Sequence, residues 1–441
     1  MSSRIEATDL VAMREEILNL VERFSVLSTA DKPFQPGVDV IPPSGKVIGA
    51  PELTAMVDAS LDGWLTTGRF NDEFQEKLAA FLGRKHVLTV NSGSSANLVA
   101  FATLTSPKLK DKAIKPGDEV ITVAAGFPTT VNPIIQCGAV PVFVDVDLET
   151  LNIDVSLIEQ AITNKTKAIM VAHTLGNPFN APAIREICDR HGLFMVEDCC
   201  DALGSTIDGQ MVGTLGDIGT LSFYPAHHIT MGEGGVVFTD NSKLNRIAES
   251  FRDWGRDCYC PPGVDNSCKK RFGWSLGDLP RGYDHKYTYS HLGYNLKITD
   301  MQAACGLAQL DRLPGFVQAR KDNYRYLAAG LGSVPGIRVI SPTESSDPSW
   351  FGLPLMVSQG AAVSRNGIVQ SLNEAGVGTR LVFAGNLTKQ PYMKGQSYRV
   401  ASTLDNTDRV MNDAFWVATY PGLDQVKMDY MIGAIKKALL G

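Results

Sequence analysis

Ser222-Phe223-Tyr224-Pro225-Ala226-His227-His228-Ile229-Thr230-Met231-Gly232-Glu233-Gly234-Gly235 joins two short apolar runs, 220–223 before it and 235–239 after it. A proline and a Gly-Glu-Gly-Gly turn break the chain between them, and two histidines sit in the break. Moving outward, the same kind of run recurs at 86–90, 119–123, 140–145, 167–173 and 193–197, separated by stretches of helical pattern. Several runs are apolar at nearly every position, as strands buried on both faces must be. Strands alternating with helices predict an α/β fold with a mostly parallel seven-stranded sheet covered on both sides. In such open sheets ligands gather beyond the carboxyl ends of the strands. The residues carrying chemistry below start at those ends.

The flanks are of different character. Leu10, Met13, Ile17, Val21 and Phe24 recur at helical spacing over 8–28. Phe34-Gln35-Pro36-Gly37 and Pro42-Pro43-Ser44-Gly45 then mark an extended arm. This divides the chain into a helix and arm over 1–50, a large domain over 51–315 and a smaller α+β domain over 316–441. A Gly/Pro/Cys/aromatic loop at 256–289 interrupts the large domain, and loops of that length are functional or disordered. A helix resumes at 299–313 through Met301, Ala304, Leu307 and Leu310.

The chain has 441 residues, 44% apolar and 20% charged, with a net charge of -6. That is the composition of a globular enzyme, and its sign argues against a nucleic-acid partner. No apolar run reaches the roughly 18 residues of a membrane span. The opening Met1-Ser2-Ser3-Arg4-Ile5-Glu6 lacks the apolar core of a signal peptide, so a cytoplasmic location is expected. The eight cysteines are then expected as free, buried or metal-bound thiols.

Four motifs point to chemistry. Asn91-Ser92-Gly93-Ser94-Ser95-Ala96-Asn97-Leu98 follows a strand and opens a helix. Its small residues and unpaired N–H groups suit a phosphate, with Gly93, Ser94 and Ser95 as candidates. Gly126-Phe127-Pro128-Thr129-Thr130-Val131-Asn132 follows another strand and carries one aromatic, Phe127, which by itself reads as a core residue. Val196-Glu197-Asp198 ends an apolar strand in a carboxylate. Cys200, Cys258, Cys260 and Cys268 are spaced Cys-x57-Cys-x-Cys-x7-Cys. Four thiolates suit zinc or an iron–sulfur centre, and Cys199 competes with Cys200.

In this order the motifs closely resemble those of the DegT/DnrJ/EryC1/StrS sugar aminotransferases, pyridoxal-phosphate (PLP) enzymes, from about residue 41 to the C-terminus. The resemblance implies a fold of the aspartate-aminotransferase type, fold-type I. It implies that Gly93, Ser94, Ser95 and Ser222 hold the phosphate, that Phe127 stacks on the pyridine, and that Asp198 pairs with the ring nitrogen. Asp201 stands where the family commonly has glutamine. Asn295 matches an asparagine that reaches the phosphate of the other subunit, which implies a homodimer. His173 matches a strand-end position near the site, and Arg380 a possible sugar contact.

His227 stands where the family has the lysine that links covalently to PLP. An imidazole cannot form that link, but it transfers protons near neutral pH. No lysine lies between Lys167 and Lys243 to take its place. One branch of the family shares both this histidine and the four-cysteine pattern: the pyridoxamine-phosphate (PMP) enzymes that dehydrate CDP-4-keto-6-deoxyglucose at C3. The resemblance to that branch implies non-covalent PMP, His227 as the base, and a 2Fe–2S cluster on Cys200, Cys258, Cys260 and Cys268. It also implies a nucleotide-sugar substrate, an NADH-dependent iron–sulfur flavoprotein reductase as partner, and a product for O-antigen dideoxyhexoses. Three alternatives stand beside it: an iron-free PMP dehydratase of the GDP-4-keto-6-deoxymannose type, a sugar aminotransferase, and a catalytically inactive protein of the same fold.

Overall fold

The computed structural model describes residues 7–28 and 33–440. The seven apolar runs are seven strands: β1 His86–Val90, β2 Glu119–Val123, β3 Val140–Val144, β4 Thr166–Ala172, β5 Phe194–Asp198, β6 Ile218–Ser222 and β7 Gly235–Thr239. They pair in the order β1-β7-β6-β5-β4-β2-β3. β7 runs antiparallel to both neighbours, and the other pairings are parallel. β2, β6 and β7 are buried at every position, which is why their sequences carry no alternation. The expected seven-stranded sheet is one strand short. Arg399–Val400 joins β3 in parallel and makes eight; a strand of two residues leaves no periodic pattern to read.

The longer helices of the first three hundred residues are α1 Ala7–Ser28, α2 Ala50–Leu61, α3 Arg69–Leu82, α4 Gly93–Leu104, α5 Pro128–Gln136, α6 Ala181–His191 and α7 Ser242–Arg252. α8 Asp300–Leu331 starts at a capping box between Thr299 and Gln302. The sequence pattern ends this helix at residue 313. The structure carries it through Pro314 to Leu331, across the expected boundary at 315/316. Phe316, Arg320, Tyr324, Leu327 and Leu331 form a buried stripe beyond the proline, and that burial outweighs the lost backbone bond.

The smaller domain is a four-stranded antiparallel sheet, β8 Ile337–Val339, β9 Gly352–Val357, β10 Thr379–Arg380 and β11 Ala414–Ala418, in the order β8-β9-β11-β10. Helices α9 Arg365–Glu374 and α10 Gln425–Leu440 share its core. The N-terminal arm belongs to this domain as well: Ile41 is buried there and exchanges backbone bonds with Gly376 and Gly378.

The apolar stripe of α1 faces solvent, with Leu10 58% and Phe24 66% exposed. Arg14 ties α1 to Asp58 and Asp62 beside α2. Among the described residues no helix is long and apolar enough to cross a membrane.

Candidate active site

The candidate residues converge at the carboxyl ends of β1, β2, β5 and β6. Ser92 caps α4 by accepting a hydrogen bond from the Ser95 N–H at 3.0 Å. The Ser95 hydroxyl is spent as well, donating to Asn91 Oδ1 at 2.6 Å. Ser95 thus closes the cap with its N–H and its hydroxyl, beside Gly93 and Ser94 at the head of α4. Ser94 is exposed, its hydroxyl donating to Thr129 Oγ1 at 3.1 Å. Gly93 is required by close approach: a Cβ there would lie 2.4 Å from Ser222 Cβ and 3.1 Å from Cys200 Sγ. One at Gly235 would lie 2.5 Å from the Ser92 carbonyl oxygen. Gly93, Ser94 and Ser222 thus form one cradle at a helix N-terminus, where the partial positive charge favours an anion.

Asp198 is 4% exposed at the end of β5. Asn97 Nδ2 and Thr130 Oγ1 each donate to its Oδ2 at 2.7 Å, and the Cys200 N–H donates to Oδ1 at 3.1 Å. Thr220 Oγ1 donates to Asn97 Oδ1 at 2.7 Å and fixes which way the amide points. Three donors hold the carboxylate in place and leave Oδ1 with an accepting site for a ring N–H. Asn97, Thr130 and Thr220 were not singled out from sequence. Phe127, at the start of α5, is 48% exposed and meets Phe383 edge-on with centroids 6.4 Å apart, so a ring face is free for stacking.

His227 and His228 separate cleanly. His228 is 3% exposed and hydrogen-bonds the Ser349 carbonyl at 2.8 Å through Nε2, an anchoring role. His227 Nδ1 is buried without a hydrogen-bond partner among the described residues and lies 3.4 Å from Asp201 Oδ1. Its ring packs at 5.1 Å from Phe351. Burial, then the charge of Arg320, lowers its pKa to about 4, against the pull of Asp198 and the Cys200 carbonyl. Burial and the neighbouring Asp198 push Asp201 up to about 8. A neutral imidazole therefore faces a protonated carboxyl at neutral pH.

Arg320 is the group that sequence reading missed. It is fully buried on α8 and donates to the carbonyls of Trp350 and Phe351 at 3.1 Å and of His227 at 3.2 Å. An arginine at helical spacing between Phe316 and Tyr324 was the available signal. His227 and Arg320 share a small cavity with Lys46 and Gln309, and none of the cradle residues line it.

His173 is structural. Its Nδ1 accepts from the Phe179 N–H at 3.2 Å, so Nε2 carries the proton and donates to Glu197 at 3.1 Å. Glu197 also receives the N–H groups of Gly213, Leu215 and Gly216. His173, Glu197 and Cys199 lie close enough to hold a metal ion, but the hydrogen already on Nε2 makes this a buttress under β5. Arg380 is exposed and bonds the Thr379 carbonyl. Asn295 is exposed, its Oδ1 held by Lys297 at 3.2 Å.

The eight cysteines are free thiols. Cys199 points away from the cradle, into the core beside Phe238, while Cys200 Sγ borders Gly93 and Ser222. Cys258, Cys260 and Cys268 line one pocket with Asn266, Arg271, His285 and Lys286. That pocket does not include Cys200. Asp257, next to Cys258, pairs with Lys108 at 2.7 Å just past the C-terminus of α4, whereas Cys200 lies at its N-terminus. About 18 Å of helix separates the two ends, at 1.5 Å per residue over twelve residues. Thiolates on one tetrahedral metal lie about 4 Å apart, given metal–sulfur bonds of about 2.3 Å. The expected four-cysteine ligand set is therefore not assembled within one chain: three members line one pocket without forming a group of sulfurs all within 4.8 Å, and Cys200 stands apart.

Sheet order, cradle and strand-end carboxylate define the class as the PLP-dependent transferase architecture of fold-type I. The model of the DegT/DnrJ/EryC1/StrS aminotransferase family matches residues 47–436, and the chain belongs to that family. It is 63% identical over 426 residues to the lipopolysaccharide biosynthesis protein RfbH of Salmonella typhimurium, covering 96% of this chain and 98% of that protein. It is 52% identical to the dTDP-4-dehydro-2,6-dideoxy-D-glucose 3-dehydratase of Saccharopolyspora spinosa, covering 91% and 87%. A solved structure of Escherichia coli GDP-4-keto-6-deoxy-D-mannose-3-dehydratase with bound hydrated PLP superposes with a TM-score of 0.81 at 29% identity, covering 90% of this chain and all of that one.

Proposed function

We propose that this chain is a PMP-dependent 3-dehydratase of a nucleotide-linked 4-keto-6-deoxyhexose, with CDP-4-keto-6-deoxy-D-glucose as its substrate. The observation that carries this reading is an intact cofactor site around a histidine with an unpartnered buried nitrogen where the family has its covalent lysine. The residues fit the cofactor: Gly93, Ser94 and Ser222 would hold the phosphate, Phe127 the ring face and Asp198 the ring nitrogen. Bound PMP supplies a primary amine for the sugar ketone and a ring that accepts electrons.

The protein's part is to orient and to move protons. Asp198, fixed by three donors, keeps the ring nitrogen protonated. His227, neutral at working pH, would take a proton from the carbon bearing the cofactor amine and pass it to the C3 hydroxyl of the sugar, which would leave as water. Phe351 and the buried Arg320 hold the His227 ring and main chain in place. Lacking a lysine at this point, the protein has no amine with which to reclaim the cofactor. The named 3-dehydratases among the relatives support the reaction class, and RfbH supports a place in lipopolysaccharide biosynthesis.

The same reading assigns an iron–sulfur centre to the loop cysteines, fed by an NADH-dependent iron–sulfur flavoprotein reductase, with the enzyme acting as a homodimer. Cys258, Cys260 and Cys268 in a shared pocket favour it over an iron-free dehydratase. The test is direct. Purified protein reconstituted with PMP, iron and sulfide should show iron–sulfur absorption and convert CDP-4-keto-6-deoxyglucose with reductase and NADH. A colourless protein, or one that consumes glutamate to make a 4-amino sugar, rejects the proposal.

A further inference from the structure

We infer that Asp201 is the positioning residue of the base: its carboxyl accepts from His227 Nδ1–H and so leaves Nε2 as the nitrogen that moves the proton. This rests on the dehydratase reading above, and its starting point is how little else holds the ring. The Arg320 guanidinium donates to the His227 carbonyl at 3.2 Å, the His227 N–H donates to the Tyr224 carbonyl at 2.9 Å, and Phe351 packs against the ring at 5.1 Å. These contacts fix the backbone and one side of the ring. None of them tells Nδ1 from the ring carbon opposite, so they leave the imidazole free to turn over about its bond to Cβ. Among the described residues, the polar side-chain group at contact distance is Asp201, whose Oδ1 lies 3.4 Å from Nδ1.

The two groups have only each other. Their side chains are 14% and 13% exposed. Nδ1 has no hydrogen-bond partner among the described residues, and the Asp201 carboxyl is spent on none of them either. At 3.4 Å the pair is about 0.5 Å short of a hydrogen bond, and bonds of this kind tighten once substrate fills the site. The turn that carries Asp201 is fixed. The Cys199 N–H donates to the Thr220 carbonyl at 3.0 Å and the Ala202 N–H to the Cys199 carbonyl at 2.9 Å. Gly176 backs the turn so closely that a Cβ there would lie 3.0 Å from the Asp201 carbonyl oxygen. One strand end therefore serves twice, with Asp198 for the cofactor ring and Asp201 for the base.

The direction of the bond follows from the work of the base. The nitrogen that meets the substrate needs a lone pair. Nδ1 is buried against Asp201, so that nitrogen is Nε2, and the ring hydrogen belongs on Nδ1. A carboxyl suits it in either protonation state, because it always keeps an oxygen that accepts. When the ring takes a second proton, the same oxygen holds it in line while Nε2 passes that proton on. His228 is the contrast: its Nε2 bonds the Ser349 carbonyl and so carries the hydrogen. Without the Asp201 acceptor nothing opposes that tautomer in His227, and it cannot act as a base at Nε2.

The test uses PMP-loaded protein carrying ring-¹⁵N-labelled histidine, with the His227 signals assigned by their loss in His227→Asn. At neutral pH the ¹⁵N shifts should show hydrogen on Nδ1 and a bare Nε2 in the native chain. Asp201→Leu, of similar size but without an acceptor, should move the hydrogen to Nε2 and slow single-turnover dehydration about 100- to 10,000-fold. PMP affinity and the half-saturating concentration of sugar nucleotide should stay within about twofold. Asp201→Glu keeps the acceptor and should keep the native tautomer; it decides the matter if Asp201→Leu does not fold. Hydrogen on Nε2 in the native protein or in Asp201→Glu overturns the inference, as does an unchanged tautomer in Asp201→Leu. A matching loss of PMP affinity overturns it by making Asp201 a cofactor contact. A native holoenzyme that does not dehydrate the sugar sinks the reaction proposed above, and the tautomer measurement still tests the hold of Asp201 on the ring.

Discussion

Arg320→Gln should move the acid side of the pH–rate profile without removing the base. At a pKa of about 4, His227 is about 97% neutral at pH 5.5, whereas an unperturbed imidazole is only about 9% neutral there. Native turnover should therefore hold nearly constant from pH 7.5 down to 5.5. Asp201 does not disturb this window, because burial and Asp198 keep it protonated up to about pH 8. Arg320 is the cation that helps burial hold His227 down. Glutamine keeps a donor for the Trp350 and Phe351 carbonyls and removes the charge, so the His227 pKa rises, while burial, the larger cause, still holds it below 6.5. The rate at pH 5.5 then falls, by less than the roughly tenfold that a fully unperturbed imidazole would give, and recovers by pH 7.5. His227→Asn, as the control, should lose roughly 100- to 10,000-fold at every pH, or about 3–5 kcal/mol of barrier. The assay is single-turnover dehydration by PMP-loaded protein at saturating sugar nucleotide. A native acid limb near pH 6.5 refutes the reasoning, as does an Arg320→Gln loss that is uniform across pH, which marks Arg320 as purely structural.

Three further outcomes follow from the same geometry. Asp198→Asn removes a carboxylate seated by three donors and leaves a ring N–H without its anionic partner. A charged hydrogen bond is worth about 1.5–3 kcal/mol, so PMP affinity should fall roughly 10- to 150-fold in a fluorescence titration, and unchanged affinity would remove Asp198 from the ring. Gly93→Ala forces a methyl against Ser222 at 2.4 Å; overpacking of about 1–3 kcal/mol should appear as weaker PMP binding, and native affinity would show the cradle to be loose. His227→Lys should capture PLP in a form that survives borohydride reduction and denaturation, while the native chain releases all of it; release from the variant would misplace residue 227.

The fold was readable because its strands are buried on both faces. The runs at 119–123 and 235–239 match β2 and β7, since burial leaves no alternation to confuse with a helix. The edge strand at Arg399–Val400 and the continuation of α8 past Pro314 were not readable, because tertiary packing decides both. In the site, Gly93, Phe127, Asp198, Ser222 and His227 announce themselves through motif order. Ser95 belongs to the same motif, and its hydroxyl and N–H close a local cap. Arg320 and the Asn97–Thr130–Thr220 set are invisible in one dimension, because their roles come from contacts between elements far apart in the chain. Cys200 marks the limit most clearly: spacing groups it with the loop cysteines, and the three-dimensional path of α4 separates them.

On the proposed function, this family member breaks a C–O bond at C3 instead of transferring an amine. PMP-loaded protein incubated with CDP-4-keto-6-deoxyglucose in ¹⁸O-water, without reductase, measures it most directly. Reversible departure of the C3 hydroxyl at the His227 site should place ¹⁸O at C3, read from the ¹³C shift of that carbon, with no dependence on glutamate. Absence of label at C3 together with a 4-amino sugar and free PLP would contradict the account.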